Sequence, residues 1–588
     1  MKRLSKSLAV GLLIVSMAWA STAEACTNFL VTKGASKDGS TFITYAADSH
    51  TLYGELYYRR AATFPKGTMF TVIDWDSGRP LGQIEQVEHT YSGVGNMNEH
   101  QLAISETTYG GRPELEGQGV IDYGSLIYIT LQRAKNAREA IKVMSELIER
   151  YGYASSGESF SIADPNEVWV MDLIGKGKPE YDTIRGKAKI KKAYKNWNPG
   201  AVWVAMRVPD GYVCGHANHA RITAFPMEKD SKNSISSKNM ARIFEPNVDV
   251  VYAYDVIDFA KLKGIYTERD GKFSFSDTYA PLDFSAARGC EARVYAFFNR
   301  VNSNMKQYEK YAMGHDFTTR MPLWIKPDKK LGLEDVMAMM RDHYEGTAMD
   351  MTQDLGAGPY QCPYRWRPMG WTVDGVDYVH ERATSTQQTG FSFVAQCRSW
   401  LPNIIGGILW FGVDDTYSTV YAPMYCGINK IPLCFREGNG SMVEYSETSA
   451  FWLFNRVTNF AYSRYNDMIK DIIKVQNRLE SGFMKDVASF DKVAEKELAS
   501  TKDTAAVIDM LTKFSNAQAE LMFNEWKKLD NFLMVKYIDG NVKKEKDGKF
   551  LESQYRPGQC EFPEQPKYPE WWYRAIIKDH GETIKVVK

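Results

Sequence analysis

The chain has 588 residues, of which 44% are hydrophobic, enough for a large core and roughly two to four domains. Its 72 basic and 72 acidic residues balance to a formal net charge of zero, which gives no indication of a nucleic-acid-binding face. Beyond the N-terminal segment, the longest apolar stretch is residues 404–413, shorter than the roughly 20 residues that a membrane-spanning helix needs.

Residues 1–25 have the features of a secretory signal peptide. Basic residues near the start precede an apolar run at 8–20, and Ala23 and Ala25 are the small residues that signal peptidase prefers before its cut. We therefore expect cleavage after Ala25 and export to the periplasm or the extracellular space. Cleavage there would make Cys26 the first residue of the mature protein.

Three interpretations of Cys26 follow from this position. With a free α-amino group beside its thiol, Cys26 would carry a nucleophile and a base within one residue. It could also be half of a disulfide, as cysteines of exported proteins often are. A lipid anchor is the third interpretation, although Glu24 stands where lipoprotein processing normally requires a small residue.

A β-hairpin is predicted directly after Cys26. Residues 27–31 and 40–45 are strand-like, and the intervening turn at 34–39 is rich in Gly and Asp. Cys26 is therefore expected to begin a strand at the edge of a sheet. The next predicted elements are strands at 70–74, 89–92 and 101–106 and helices at 123–135 and 137–151.

The rest of the chain divides near residue 444. Before it, the pattern predicts further strands at 160–163, 168–173, 202–208, 212–215 and within 390–425, and a helix through 294–301. After it, the chain is predicted to be helical to about 539, followed by a charged loop at 543–549 and an irregular Pro-rich segment at 556–570. Strands with helices grouped around them indicate an α+β fold. We expect a catalytic domain at 26–443 and a mostly helical region at 444–588, with a homo-oligomer as one possibility.

The candidate chemistry is attack by the Cys26 thiol on an amide. A thiol with an ordinary pKa near 8.5 and a terminal amine near 7.7–8.0 can exchange a proton at low cost. That amine needs an acceptor to orient it, and Asp48, at the end of the second strand, can lie beside Cys26 across the hairpin. His50 and His100 are weaker candidates for a partner of the thiol.

Other chemistries find little support in the sequence. It contains no Gly-x-Ser-x-Gly elbow, no phosphate-binding Gly loop and no His-Glu-x-x-His helix. Cys214, His216 and His219 superficially resemble a metal cluster, but a strand would place His219 on the opposite face. No cofactor or metal is expected.

Several segments, in the same order along the chain, resemble one family. They are Cys26-Thr27-Asn28, residues 33–41, Asp48-Ser49, residues 98–107 (NEHQLAISET), residues 158–164, residues 203–209, His216-Ala217-Asn218 and residues 407–412. Together they are similar to the secreted cysteine dipeptidases (A/D type) of the N-terminal nucleophile (Ntn) hydrolases, relatives of choloylglycine hydrolases and penicillin V acylases.

The resemblance implies a four-layer αββα sandwich and hydrolysis of a dipeptide or other small amide through a thioester on Cys26. It implies that Asp48 orients the nucleophile, that Asn218 donates to the oxyanion and that Arg293 is a distal active-site residue. The chain departs from the family at Tyr45, where relatives often carry Arg.

Two alternatives to a dipeptidase stay open. One is an amidohydrolase of bile-acid conjugates or acyl amides. The other, of a different class, is a surface binding protein with a lipid on Cys26. A free dipeptide needs counter-charges for its ammonium and its carboxylate, and neither can be assigned from the sequence, although Glu106 could face the site.

Overall fold

The structure is a computed structural model that describes residues 26–587 except 185–186, 196 and 367–368. The predicted signal peptide, residues 1–25, lies outside the described residues. Within the described residues, no helix has an apolar stretch that is long enough to cross a lipid bilayer.

The strands are β1 Asn28–Val31, β2 Thr41–Asp48, β3 Tyr58–Arg59, β4 Ala62–Thr63, β5 Met69–Ile73, β6 Pro80–Glu85, β7 His89–Thr90, β8 Gly93–Val94, β9 Met97–Asn98, β10 Ala103–Tyr109, β11 Gly157–Ala163, β12 Val168–Gly175, β13 Tyr181–Ile184, β14 Lys187–Ile190, β15 Ala201–Arg207, β16 Val213–His216, β17 Ser234–Ser236, β18 Val250–Tyr252, β19 Trp324–Ile325, β20 Gly370–Val373, β21 Val376–Val379, β22 Thr389–Cys397, β23 Ile408–Val413, β24 Ala422–Tyr425, β25 Glu545–Lys546, β26 Lys549–Phe550, β27 Glu552–Ser553 and β28 Arg556–Cys560. The α-helices are α1 Tyr123–Leu131, α2 Ala137–Tyr151, α3 Val256–Leu262, α4 Phe275–Tyr279, α5 Ala292–Val301, α6 Glu309–Ala312, α7 Leu333–Met339, α8 Asn403–Gly406, α9 Ala450–Tyr462, α10 Tyr465–Thr501, α11 Thr504–Tyr537 and α12 Glu570–Ile584.

Two large sheets form the centre of the molecule. The first has seven strands in the order β19-β16-β1-β2-β22-β23-β24, all antiparallel to their neighbours. The second has nine strands in the order β17-β18-β15-β12-β11-β10-β9-β8-β3, and only β17 and β18 run parallel. The prediction that β1 lies at the edge of a sheet is wrong, because β1 pairs with β2 on one side and with β16, much later in the chain, on the other.

The two sheets pack face to face, and polar groups join them. The hydroxyl of Ser105 on β10 donates to the carbonyl of Thr44 on β2 at 3.2 Å. The His216 ring, on β16 of the first sheet, lies within 2.7 Å of the hydroxyls of Thr107 and Ser161 on the second. Burial lowers the pKa of His216 to about 3, so the ring is neutral and serves as a hydrogen-bonded bridge between the sheets.

Helices pack against each sheet. Helices α1, α2 and α3 contact strands β10, β11 and β15 of the second sheet, whereas α5, α9, α10 and α11 contact β16, β23 and β24 of the first. The long α10 and α11 pair with each other, and the rings of Phe490 and Phe514 stack between them with centroids 4.2 Å apart. The predicted helical region after residue 444 thus lies directly on the first sheet. The mixed α+β class is confirmed, while the domain boundary at 443 stays a prediction.

The last fifty residues differ from the expectation. The predicted loop at 543–549 is a tight hairpin of β25 and β26, with Asp547 and Gly548 both at positive φ. An Asp-Gly pair is a hairpin signal, so the sequence carried this information. The predicted irregular segment at 556–570 begins with β28, and a helix, α12, starts at its last residue.

Candidate active site

Cys26 lies where the first sheet begins. Its neighbour Thr27 forms two backbone hydrogen bonds with Ala46 on β2, of 3.2 and 3.0 Å, which places Cys26 beside the end of that strand. From α5, one guanidinium nitrogen of Arg293 donates to the Cys26 carbonyl at 2.6 Å and to the Thr27 hydroxyl at 2.8 Å. The backbone of the candidate nucleophile is thereby fixed from two sides.

The thiol faces a cavity of about 270 Å³. Its sulfur lies 3.5 Å from Oη of Tyr45 and 3.8 Å from Oε1 of Glu106, and the Tyr45 hydroxyl donates to the same Glu106 oxygen. Cys26 is 6% exposed, so this cavity is where a reactant would meet the sulfur. Asp48 and Tyr123 also line the cavity.

Asp48 is held by two partners. Arg382 pairs with Oδ2 at 2.5 Å, and the Thr389 hydroxyl donates to Oδ1 at 2.6 Å. Burial raises the pKa of Asp48, and the two partners counteract part of that rise. The backbone of Asp48 interacts with the Cys26 sulfur and lowers the pKa of the thiol. The structure therefore brings Asp48 beside Cys26, as the hairpin suggested.

The surroundings of the Cys26 thiol favour its protonated form. Burial raises the pKa of Cys26 well above its ordinary value, and the negative charges of Glu106 and Asp48 raise it further. The interactions of the sulfur with the Asp48 backbone and with the Tyr45 hydroxyl lower this pKa, but by less. Ionisation of this thiol needs a positive charge close to the sulfur.

Asn218 and Arg293 form one hydrogen-bonded unit. Asn218 follows β16 with a left-handed backbone (φ 54°), and its side-chain oxygen accepts from the Arg293 guanidinium at 2.7 Å. Its amide nitrogen donates to the Thr108 carbonyl at 2.5 Å, and an amide has a second N–H to give. Asn218 lines a neighbouring cavity together with Glu158 and Tyr123. Its role as an oxyanion donor stays a prediction, as does the catalytic role of Arg293.

Arg382 was missed by the sequence reasoning. It stands 334 positions from Asp48 along the chain, in a segment without periodic pattern, and it reaches the site only because β22 pairs with β2. Tyr45 fills the place of the Arg expected from the family, and its neighbours are the sulfur and Glu106 rather than a cation.

The candidate histidines lie elsewhere. His100 packs edge-on against Tyr91, and neither it nor His50 is among the described residues that line the cavity. His219 contacts the buried Glu291 at 3.3 Å and the Ala280 carbonyl at 2.9 Å. In the part of the chain that the structure describes, no group of three or more His, Cys, Asp or Glu side chains is placed to hold a metal ion.

All eight cysteines lie among the described residues, and none forms a disulfide. The sequence could not say which of the other seven pair, and the structure leaves each as a free thiol.

Comparison with known proteins places the chain in a family. The model of peptidase family C69 matches residues 25–478, most of the chain. The chain belongs to peptidase family C69. Among the proteins similar to this chain, a "Probable dipeptidase" of Latilactobacillus sakei is 22% identical, and the match covers 85% of this chain and 94% of the relative's length. A "Probable dipeptidase B" of Streptococcus pyogenes serotype M1 is 21% identical over 90% of this chain and 96% of its own. A "Probable dipeptidase" of Salmonella dublin is 23% identical, and the match covers 69% of this chain and 81% of the relative's length.

The family match confirms the resemblance that the sequence motifs indicated. It begins one residue before Cys26 and continues through β24 into α10. The C69 segment therefore includes both large sheets, the cavity at Cys26, and the first part of the C-terminal helical region.

Proposed function

We propose that this C69 protein is an exported cysteine dipeptidase whose nucleophile is Cys26, exposed as the first residue by signal-peptide removal. The carrying observation is the placement of the Cys26 thiol in a cavity, beside Asp48 and at the start of the first strand. The names of the similar proteins and the start of the C69 family match at residue 25 support it.

Acylation would proceed in balanced steps. The α-amine of Cys26 takes the proton of the thiol, and the sulfur attacks the carbonyl carbon of the dipeptide. The carbonyl oxygen becomes an oxyanion, to which the free N–H of Asn218 donates. The C–N bond then breaks, the α-ammonium returns its proton to the leaving amine, and a thioester remains on Cys26.

Deacylation would use the same groups in reverse. A water molecule gives a proton to the α-amine and its oxygen attacks the thioester carbon. The C–S bond then breaks, the amino acid leaves, and the α-ammonium returns its proton to the Cys26 sulfur. Asp48, held by Arg382 and Thr389, is the fixed carboxylate that orients the α-amine through both steps. Arg293 fixes the carbonyl of Cys26 and the side chain of Asn218.

The same proposal covers the finer architecture. The two packed sheets with helices against each would be the four-layer αββα sandwich of Ntn hydrolases, with residues 26–443 as the catalytic domain. Helices α9–α11 would be its extension, packed on the first sheet rather than on a separate core.

The test is hydrolysis of unblocked dipeptides by the exported protein, with three variants. We expect Cys26→Ala to abolish turnover and Cys26→Ser to retain only weak turnover, since a hydroxyl is a poorer nucleophile. Cys434→Ala, which changes a buried thiol outside the cavity, is the matched control and should retain full turnover. Full activity in Cys26→Ala would refute the thiol mechanism.

The alternatives are tested alongside. Faster turnover of conjugated bile salts or penicillin V than of dipeptides would favour an acyl amidohydrolase. Metabolic labelling with a fatty-acid probe, lost in Cys26→Ala, would favour a lipid-anchored surface protein. We expect no label on the protein.

A further inference from the structure

Glu106 is a buried acid that the proposed mechanism does not use. It lies on β10, is 1% exposed, and lines the cavity that contains the Cys26 sulfur. Its Oε1 accepts from the Tyr45 hydroxyl. A carboxylate so deeply buried is costly unless a partner compensates its charge.

The other oxygen of Glu106 points to a ligand. Oε2 is buried and, among the described residues, takes part in no hydrogen bond of normal geometry. Its neighbour is Glu158, on the adjacent strand β11, and the two carboxyls can share a hydrogen bond only while one of them is protonated. When both are ionised, they form a site of negative charge that needs a cation.

The distance between Glu106 and the Cys26 sulfur indicates which cation would bind at this carboxylate. Glu106 Oε1 is 3.8 Å from the sulfur that would attack the substrate carbonyl. In an α-aminoacyl group, the ammonium nitrogen is only two bonds from that carbonyl carbon. A carboxylate oxygen 3.8 Å from the reacting sulfur therefore lies where it can accept a hydrogen bond from the α-ammonium of a bound dipeptide.

We propose that Glu106, supported by Glu158, binds the α-ammonium group of the substrate and makes a free amino terminus the condition for cleavage. This inference rests on the proposed function and assigns it a specificity-determining residue. An acyl group without an amine would place apolar atoms against the carboxyl pair and leave its charge uncompensated. The cavity then selects aminoacyl amides over bile-acid conjugates and penicillin V.

The experiment compares two substrates that differ only in the amine. L-alanyl-L-alanine carries the α-ammonium, and propionyl-L-alanine has hydrogen in its place. We expect the exported wild-type protein to prefer the dipeptide by about 100-fold or more in kcat/KM, because a site built to bind an N–H group rejects the analogue that lacks it. Glu106→Gln should lose most of its activity on the dipeptide and little on propionyl-L-alanine, so the preference falls below about tenfold.

The controls separate recognition from structure. Glu495→Gln, an exposed position on α10, should retain the wild-type preference. Equal losses on both substrates in Glu106→Gln, or equal cleavage of both by the wild type, would overturn the inference. Cleavage of neither substrate by the wild type would instead refute the proposed function, and with it this inference.

A pH profile of the wild type tests the same idea without a variant. Burial raises the pKa of Glu106, whose titratable neighbours are Cys26, Tyr45, Glu158 and Asp76. As the pH falls through that raised pKa, Glu106 becomes neutral, so the KM for L-alanyl-L-alanine should rise while that for propionyl-L-alanine stays constant. Parallel changes in both KM values would contradict the proposal.

Discussion

In the proposed mechanism, removal of the signal peptide places a positive charge beside the Cys26 thiol. In the uncut chain, the nitrogen of Cys26 is a neutral amide, and the thiol faces the negative charges of Glu106 and Asp48. Cleavage converts this nitrogen into an ammonium group within the same residue. The perturbation that tests this is a protein prepared with Ala25 still attached, compared with one that begins at Cys26.

The size of the effect follows from distance and burial. A unit charge about 4 Å from the sulfur, at an effective dielectric constant of about 20, contributes about 4 kcal/mol. That energy corresponds to about three pKa units. Cys26 is only 6% exposed, so solvent screening removes little of it. We expect the thiol of the protein that begins at Cys26 to ionise two to three pH units lower than the thiol of the protein that keeps Ala25.

The assay is the rate of alkylation of Cys26 by iodoacetamide as a function of pH. Peptide mass spectrometry isolates this residue from the other seven cysteines, and thermal unfolding confirms that both forms are folded. Superimposable pH profiles for the two forms would refute the electrostatic argument. A shift in the opposite direction would do the same.

Three further predictions concern single side chains. Tyr45→Phe removes a hydroxyl that lowers the thiol pKa, so the alkylation midpoint should move to higher pH; an unchanged midpoint would contradict that role. Arg293→Lys cannot keep the hydrogen bonds to both the Cys26 carbonyl and Asn218. A charged hydrogen bond contributes about 1.5–3 kcal/mol, so we expect kcat/KM to fall by about 100-fold. An unchanged melting temperature would show that the variant is folded. Burial and the charge of Asp415 raise the pKa of Asp414 to about 7. Between about pH 4 and pH 7 the folded protein therefore keeps a proton that the unfolded chain releases. The free energy of unfolding should fall as the pH rises through this range. Asp414→Asn should then be more stable than the wild type in urea by about 3–4 kcal/mol at pH 8 and nearly equal at pH 4. The same difference at both pH values would refute this account.

Local signals made much of the fold predictable. The helix expected at 137–151 has these bounds, because Asn136 caps its start and Gly152, at φ 78°, ends it. The hairpin behind Cys26 was predictable from a Gly- and Asp-rich turn between two β-branched runs. These features depend on neighbours along the chain, which a sequence shows directly.

Long-range pairing could not be predicted in the same way. The interior position of β1 depends on β16, and the contact of Arg382 with Asp48 depends on β22. Glu106 reaches the sulfur only because two sheets from different parts of the chain pack face to face. Registers between distant strands leave no local pattern, so the sequence raised Glu106 as a residue that could face the site but could not assign its contact with the Cys26 sulfur.

The central claim is that an N-terminal Cys26 is the nucleophile. Tryptic mass spectrometry of the protein recovered outside the cytoplasm of expressing cells, after treatment with a thiol-directed alkylator, tests it most directly through peptide 26–33. We predict that this peptide begins at Cys26, that its alkylation accompanies loss of dipeptide hydrolysis in a one-to-one ratio, and that a dipeptide slows both. A peptide that begins at any other residue, or full hydrolysis by protein alkylated at Cys26, would contradict the account.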